Sequence, residues 1–357
     1  MKKSKTWFLF ISLISLIFFR FIATKPVYKD GDRVKITATV LTEPVKYETL
    51  QYLKVSGLKI YLPLFPEIFY GDRVVIEGTV ENGKLKDSKL QKLEKETGYF
   101  SGFRHKLISF YRSVLPEPHA GLIAGITLGS KGGLSPDFWE KVKGVGVAHV
   151  VVASGMNVTF VAAFLMGVMS IFLTRRKSIL FVILGIILYL FISGFDAPLV
   201  RAAIMGSIAF LAQATGRLVS AWRALMLSAL AMLVINPTWM GDLGFILSFV
   251  ATGSLLIFEG RIHKKLKLIP EFLKEGLSTS LAAQIGVTPI LFVTFGQFNI
   301  LSPVVNALVL WTVPPLMIFG AVGGILGMTI PVMGKLVLYL SYPLLWWFVS
   351  VITFFSF

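Results

Sequence analysis

The stretch VAHVVVASGMNVTFVAAFLMGVMSIFL, residues 147–173, contains no Asp, Glu, Lys or Arg and is followed within two residues by Arg175-Arg176-Lys177. About 20 consecutive apolar residues suffice to cross the roughly 30 Å hydrocarbon core of a bilayer. A run of this length closed by three bases reads as a membrane-spanning helix whose basic end faces the cytoplasm. The rest of the chain agrees. Hydrophobic residues make up 55% of 357 positions and charged residues 15%, and the mean hydropathy is +0.75, well above the level of a soluble domain.

Further spans are expected at Ser178–Phe195, Pro198–Ala214, Ala221–Ile235, Leu243–Phe258, Leu277–Phe295, Leu301–Phe319 and Val332–Phe355, with a short Gly-rich stretch near Ala321–Ile330. Their loops alternate in charge. Arg175–Lys177, then Arg217 and Arg223, then Arg261, Lys264, Lys265 and Lys267 fall on one side, and Asn236–Asp242 falls on the other. This alternation is what the positive-inside rule requires.

Toward the N-terminus, Lys2, Lys3 and Lys5 precede an apolar run from Trp7 to Ile22 broken only by serines and Arg20. It reads as a first transmembrane helix, residues 1–25, with a cytoplasmic N-terminus. A cleaved signal peptide is the rival, weakened by the length of the run and by the poor cleavage match at Ala23-Thr24-Lys25. Either reading places residues 26–98 outside.

Residues 26–98 change texture to alternating strands separated by Gly and Asp turns. Gly31-Asp32-Arg33-Val34-x-Ile36-x-x-Thr39-Val40 recurs forty positions later as Gly71-Asp72-Arg73-Val74-x-Ile76-x-x-Thr79-Val80. With the runs Leu50–Val55, Leu58–Leu62 and Lys84–Leu93, about five strands are expected, enough for a small OB-like barrel or a plain five-stranded sheet. The fold class is thus a polytopic α-helical membrane protein with a small extracytoplasmic β-barrel domain near its N-terminus. Residues 99–146 are expected as a linker of amphipathic and short helices at the outer membrane surface, and 147–357 as the polytopic domain.

The chain has no cysteine and four histidines, His105, His119, His149 and His263. Disulfides, thiolate metal sites and thiol catalysis are excluded, and no metal or other cofactor is expected. The net charge of +16 divides into +4 in residues 1–24, +2 in 25–98 and +10 in 99–357. An anionic partner, nucleic acid or lipid, would therefore meet the membrane part. The β domain offers Tyr47, Tyr52, Tyr61 and Tyr70 as stacking platforms or as core residues.

Three stretches carry polar residues into the apolar spans. His149, Ser154 and Asn157 fall within half a helix face at ~3.6 residues per turn. Asp196 precedes a helix that carries Arg201, an expensive residue in lipid that calls for a partner or a water-filled cavity. Asp196 is a candidate partner, and snorkelling is the plain alternative. Gly241-Asp242-Leu243-Gly244-Phe245-Ile246-Leu247-Ser248-Phe249 is followed by Gln284, Pro289, Gln297 and Asn306, each individually a common packing device between membrane helices.

Together these stretches resemble the ComEC family of competence DNA channels. Gly146 through Asn157, with His149 and Ser154-Gly155 in register, is similar to a family segment in which many members have histidine at the position of Asn157. Ala197-Pro198-Leu199-Val200-Arg201-Ala202, Gly244–Phe249 after Asn236-Pro237, Gln284-x-x-x-x-Pro289 and Asn306 also resemble family motifs. The resemblance implies passage of a single DNA strand across the cytoplasmic membrane during natural transformation. On that reading Arg201, His149, Ser154, Asn157 and Lys143 are candidates for the path, with Lys141 and Arg104 at the outer mouth. Gly155, Asp196, Gly244, Phe245, Ser248, Gln284, Pro289 and Asn306 are structural polar or motif residues.

Many members continue into a metallo-β-lactamase-like domain. No His-x-His-x-Asp-His cluster occurs here, so a separate nuclease is expected, alongside a DNA receptor, a cytoplasmic DNA translocase and membrane lipids as partners. Two other readings stand beside this one: a transporter of another anionic solute, such as a lipid or glycan precursor, and an intramembrane hydrolase built on Ser154 and His149. The hydrolase is disfavoured because five residues on one helix point the two side chains about 140° apart.

Overall fold

The computed structural model describes residues 15, 17–23, 28–41, 43–47, 49–55, 57–95, 98–130, 132–296 and 299–356. Most of the expected first helix, with Lys2, Lys3 and Lys5, lies outside them, as does Gln297. Residues 17–23 are helical.

The soluble part is one six-stranded mixed sheet: β1 (Arg33–Thr39), β2 (Val45–Lys46), β3 (Leu50–Val55), β4 (Leu58–Pro63), β5 (Arg73–Glu81) and β6 (Lys84–Glu94). The strand order is β1-β5-β6-β4-β3-β2, antiparallel throughout except for the parallel pair β4·β6. Alternation puts Leu58, Ile60 and Leu62 inside and Lys59 and Tyr61 outside along β4. The two outermost strands in this order, β1 and β2, are consecutive in sequence. Six Cα steps, at most about 20 Å, join them, so the sheet curls until its ends approach. The β domain is thus a small curled mixed sheet of six strands, one more than the five expected.

The internal repeat explains the strand pair at one edge of the sheet. Its copies are β1 and β5, which pair antiparallel with Ile36 opposite Ile76. The turns that feed them are also equivalent: Asp32 Oδ2 accepts from Lys29 N and Asp72 Oδ2 from Phe69 N, both at 2.9 Å. Gly31 N donates to Val80 O at 2.8 Å and Gly71 N to Val40 O at 2.9 Å. Each turn needs a glycine, at φ +98° and +94°.

Thirteen α-helices follow among the described residues: α1 (Tyr99–Val114), α2 (His119–Leu128), α3 (Pro136–Gly144), α4 (Ala148–Val151), α5 (Gly155–Phe172), α6 (Arg175–Ser193), α7 (Ala197–Ala214), α8 (Ala221–Ile235), α9 (Leu243–Lys265), α10 (Glu271–Phe295), α11 (Ser302–Leu310), α12 (Val313–Thr329) and α13 (Pro331–Phe355), with a short 3-10 helix, Pro237–Gly241, between α8 and α9. Among the described residues six spans are long and apolar enough to cross a membrane, and α11 with α12 is a bent pair, at 47°, that forms either a broken seventh span or a re-entrant loop. The expected span Leu301–Phe319 is therefore corrected. It breaks at Trp311–Thr312, where Pro314 and Pro315 open α12 and disfavour continuation of the preceding helix.

Residues 99–146 differ from a surface linker. Every residue of α2 is buried, and Leu107 and Tyr111 of α1 belong to the same apolar core as α12 and α13. The Tyr111 hydroxyl donates to Gly320 O of α12 at 2.9 Å. α1 and α2 thus form a hairpin set into the helical core.

The ends of the bundle are distinct. The N-termini of α7 and α9 lie side by side, since a Cβ on Gly244 would be 3.9 Å from Pro198 Cδ. Both helices run the same way, so Ala214 and Lys265 end together with the α5–α6 turn that carries Arg175–Lys177. The β domain sits at the opposite end, where the Tyr70 hydroxyl donates to Phe191 O at 3.3 Å.

Candidate functional site

The run that opened the sequence reading is interrupted. Val152 and Ser154 are extended, at φ/ψ of −90°/146° and −122°/174°, between the one-turn helix α4 and the 18-residue α5. The expectation that His149, Ser154 and Asn157 share a face of one continuous helix is thereby overturned. The hydroxyl of Ser154 donates to Asn157 Oδ1 at 3.1 Å, and Asn157 Nδ2 donates to Ile126 O at 2.7 Å. His149 is exposed between buried neighbours, with Val147, Val150 and Val151 all at 0% exposure.

Asn157 is one of three side chains that close the buried C-terminus of α2. The Tyr189 hydroxyl donates to Thr127 O at 3.2 Å and Arg104 Nη1 to Leu128 O at 2.7 Å. A helix leaves its last four carbonyls without intrahelical donors. Here Gly129, at φ +73°, returns its own N–H to Gly125 O, and α1, α5 and α6 supply the other donors. Arg104 also donates to Ile192 O at 2.6 Å and is paired with Glu43 of the β domain. Glu43 further accepts from Ser130 Oγ at 2.6 Å and Gly132 N at 3.3 Å. Arg104 therefore ties the β domain to the helical core. Tyr70 lies beside it, with the guanidinium 5.3 Å from the ring centroid. Burial raises the Tyr70 phenol above its usual range; Arg104 lowers it in part and Asp196 raises it.

The break at Ser154 leaves the first N–H groups of α5 inside the helical bundle, at the positive end of the helix dipole. Arg201 of α7 lies against that end. A Cβ on Gly155 would be 2.7 Å from Arg201 Nη2 and 3.2 Å from Ala202 Cβ, so glycine lets the guanidinium lie directly against the start of α5. Nη1 donates to Ser248 O and to Thr252 Oγ1 of α9. Among the described residues Arg201 Nε and Ser248 Oγ are buried without a partner. Asp196, expected as the partner of Arg201, is the N-cap residue of α7, and its carbonyl accepts from Leu199 N and Val200 N at 3.0 and 3.1 Å. Gly244, Phe245 and Ser248 form the opening turns of α9, where Asp242 Oδ1 caps Phe245 N at 3.1 Å.

A second polar cluster joins the loop before α4 to α10 and α11. Gln284 Nε2 donates to Asn299 O at 3.2 Å, Asn299 Nδ2 to Gly144 O at 2.6 Å and Ser302 Oγ to Gly146 O at 3.2 Å. Asn306 Nδ2 donates to Ser280 Oγ at 2.8 Å. Pro289 stands exposed within α10. Lys141 and Lys143 are exposed on α3, and Lys143 is paired with Glu140 at 2.5 Å.

Sequence reasoning missed Glu43, Tyr189, Thr252 and Asn299. Thr252 had a signal, standing one turn after Ser248; the others are distant in sequence from what they hold. On the β domain, Tyr52 and Tyr61 face each other across β3 and β4 with ring centroids 5.3 Å apart. Tyr47 and Tyr61 are exposed.

These features define a polytopic membrane protein with interrupted helices, a half-buried arginine and a small β domain docked at the end opposite its basic loops. Residues 126–357 match the Competence protein family, and the chain belongs to it. It is 32% identical over 229 residues to ComE operon protein 3 of Bacillus subtilis (strain 168), covering 62% of this chain and 28% of that protein. It is 26% identical over 216 residues to Competence protein ComA of Neisseria gonorrhoeae, covering 57% and 30%. The matched region spans less than a third of either relative's length. No solved structure matches the chain.

Proposed function

We propose that this chain forms the path by which a single DNA strand crosses the cytoplasmic membrane during natural transformation. One observation carries the reading: a guanidinium and the positive end of an interrupted helix meet at Gly155 inside the bundle. Two positive elements side by side repel each other, and a phosphate passing beside them would relieve that repulsion. A strand needs such contacts to be few and exchangeable, since each neutralised phosphate adds salt-sensitive affinity that would slow its movement. Exposed His149, Lys141 and Lys143 would guide the strand toward this point. The Competence protein family and the name of the Neisseria relative, Competence protein ComA, support the same reading.

On this proposal the β domain lies outside and the basic loops lie in the cytoplasm. The exposed Tyr47 and the Tyr52–Tyr61 pair would stack on bases, while Tyr70 and Arg104 are taken up by the junction. A nuclease, a DNA receptor and a cytoplasmic translocase would be separate proteins. Transport rather than catalysis is supported by the Ser154 hydroxyl, which donates to Asn157 rather than to a histidine.

The test is uptake of labelled DNA by cells carrying Arg201→Ala or Arg201→Lys, normalised to membrane protein level. The proposal expects loss in the first and partial uptake in the second. Normal uptake with Arg201→Ala at normal level would overturn it in favour of another anionic solute.

A further inference from the structure

α8 is shorter than the bundle around it. Its 15 residues rise about 22 Å at ~1.5 Å each, some 8 Å less than the roughly 30 Å hydrocarbon core. Its starting end also stops short of α9. The Trp222 ring meets Gly253, 3.8 Å from where a Cβ would stand. α9 continues to Lys265, 12 residues or about 18 Å further along its axis. α7 likewise runs to Ala214 before the chain turns back. The bundle therefore has a notch between the basic ends of α7 and α9, with the start of α8 as its floor.

The floor is apolar with a basic rim. One face of α8 there is a shallow open depression lined by Trp222, Met226, Leu227 and Arg223. Leu218, in the turn that enters α8, is 99% exposed and Trp222 is 44% exposed. Arg217 and Arg223 are exposed, and neither forms an ion pair with a described residue. The acid at the α9–α10 turn, Glu271, is engaged by His263 at 3.2 Å and Lys274 at 3.1 Å. Two arginines beside an apolar groove at the edge of the hydrocarbon need an anion that carries its own apolar body.

We infer that this notch is a binding site for an anionic phospholipid, with its headgroup phosphate between Arg217 and Arg223 and an acyl chain along Trp222, Met226 and Leu227. Tryptophan is the residue that sits best at this boundary. A soluble phosphate would leave the exposed Leu218 and Trp222 in water, whereas a phospholipid covers them with its acyl chain.

The full chain in nanodiscs tests the site, with Trp222 emission taken as the difference between the wild type and Trp222→Phe. Brominated phosphatidylglycerol should quench that emission about fivefold or more in excess of the same proportion of brominated phosphatidylcholine, as ~1 kcal/mol per base implies. The double variant Arg217→Gln/Arg223→Gln should quench equally with both lipids, and Arg217→Lys/Arg223→Lys should keep the preference. Equal quenching in the wild type, or a preference that survives loss of both arginines, overturns the inference.

Discussion

Gly155 and Arg201 are packed so closely that a single methyl group at position 155 would fall 2.7 Å from the guanidinium Nη2. Gly155→Ala should push the guanidinium against its bonds to Ser248 and Thr252 at a cost of about 1 kcal/mol, the low end for overpacking because the crowded atom ends a flexible side chain. DNA uptake should fall about fivefold, since ~1.4 kcal/mol is a factor of ten, and Gly155→Val should be worse. Ser154→Ala, next door, removes only a hydroxyl donated to Asn157 and should leave uptake near wild type. Uptake per unit of immunoblotted protein separates the two. A defect in Ser154→Ala equal to that of Gly155→Ala would restore a chemical role for the hydroxyl.

Asn157 is fully buried and holds Ile126 O at 2.7 Å. Asn157→Leu would leave that carbonyl without its donor, a cost of about 1–3 kcal/mol, visible as a lower melting temperature of the detergent-solubilised protein. Tyr189→Phe releases the neighbouring Thr127 O and should lower it by a smaller step. Because both groups close one helix end, the double variant should lose less than the sum of the two. Strict additivity would show that α2 is not held as a unit.

How far these features were legible depends on where their causes lie. The repeat in β1 and β5 was readable because its signals are local: a glycine at positive φ, an aspartate closing the turn and an alternating strand. Its symmetric pairing around Ile36 and Ile76 follows directly. The positions of Arg201, Ser248 and Asn306 were marked by the cost of placing polar groups in lipid. The break at Val152–Ser154 was not readable from a run of valines and alanine. It depends on Ile126 O, 31 residues away, and on Arg201, 46 residues beyond Gly155, neither of which local periodicity can register. The α11–α12 bend was better marked, by Pro314 and Pro315, yet uniform hydropathy across it concealed the change of direction. The burial of α2 was likewise hidden, since a 10-residue apolar helix is too short to announce a span.

Arg104 and Glu43 form the junction between the β domain and the core, with 4% and 15% of their side chains exposed. Removing one partner of such a pair leaves an uncompensated buried charge and costs about 3–5 kcal/mol. Glu43→Ala should therefore make the segment between the β domain and α1 the first site of limited proteolysis, with cleavage near residues 95–98. Arg104→Met combined with Glu43→Leu removes both charges and should recover part of that loss. Cleavage unchanged in Glu43→Ala would mean that other contacts, such as Tyr70 on Phe191 O, hold the domain unaided.

The membrane orientation can be tested cleanly because the chain contains no cysteine, so every introduced thiol reports alone. The β domain and the basic turns lie at opposite ends of the helices, an arrangement fixed by the shared direction of α7 and α9 and by the contacts of Tyr70. Positive loops are retained in the cytoplasm, which would put the β domain outside. Lys89→Cys on β6 and Lys267→Cys in the α9–α10 turn are both at exposed positions. A membrane-impermeant maleimide applied to intact spheroplasts should label the first and spare the second, with both labelled after permeabilisation. Labelling of Lys267→Cys alone would invert the topology. The Arg201 site would then lie nearer the cytoplasmic face, and the stacking surface of the β domain would meet a strand leaving the membrane rather than one entering it.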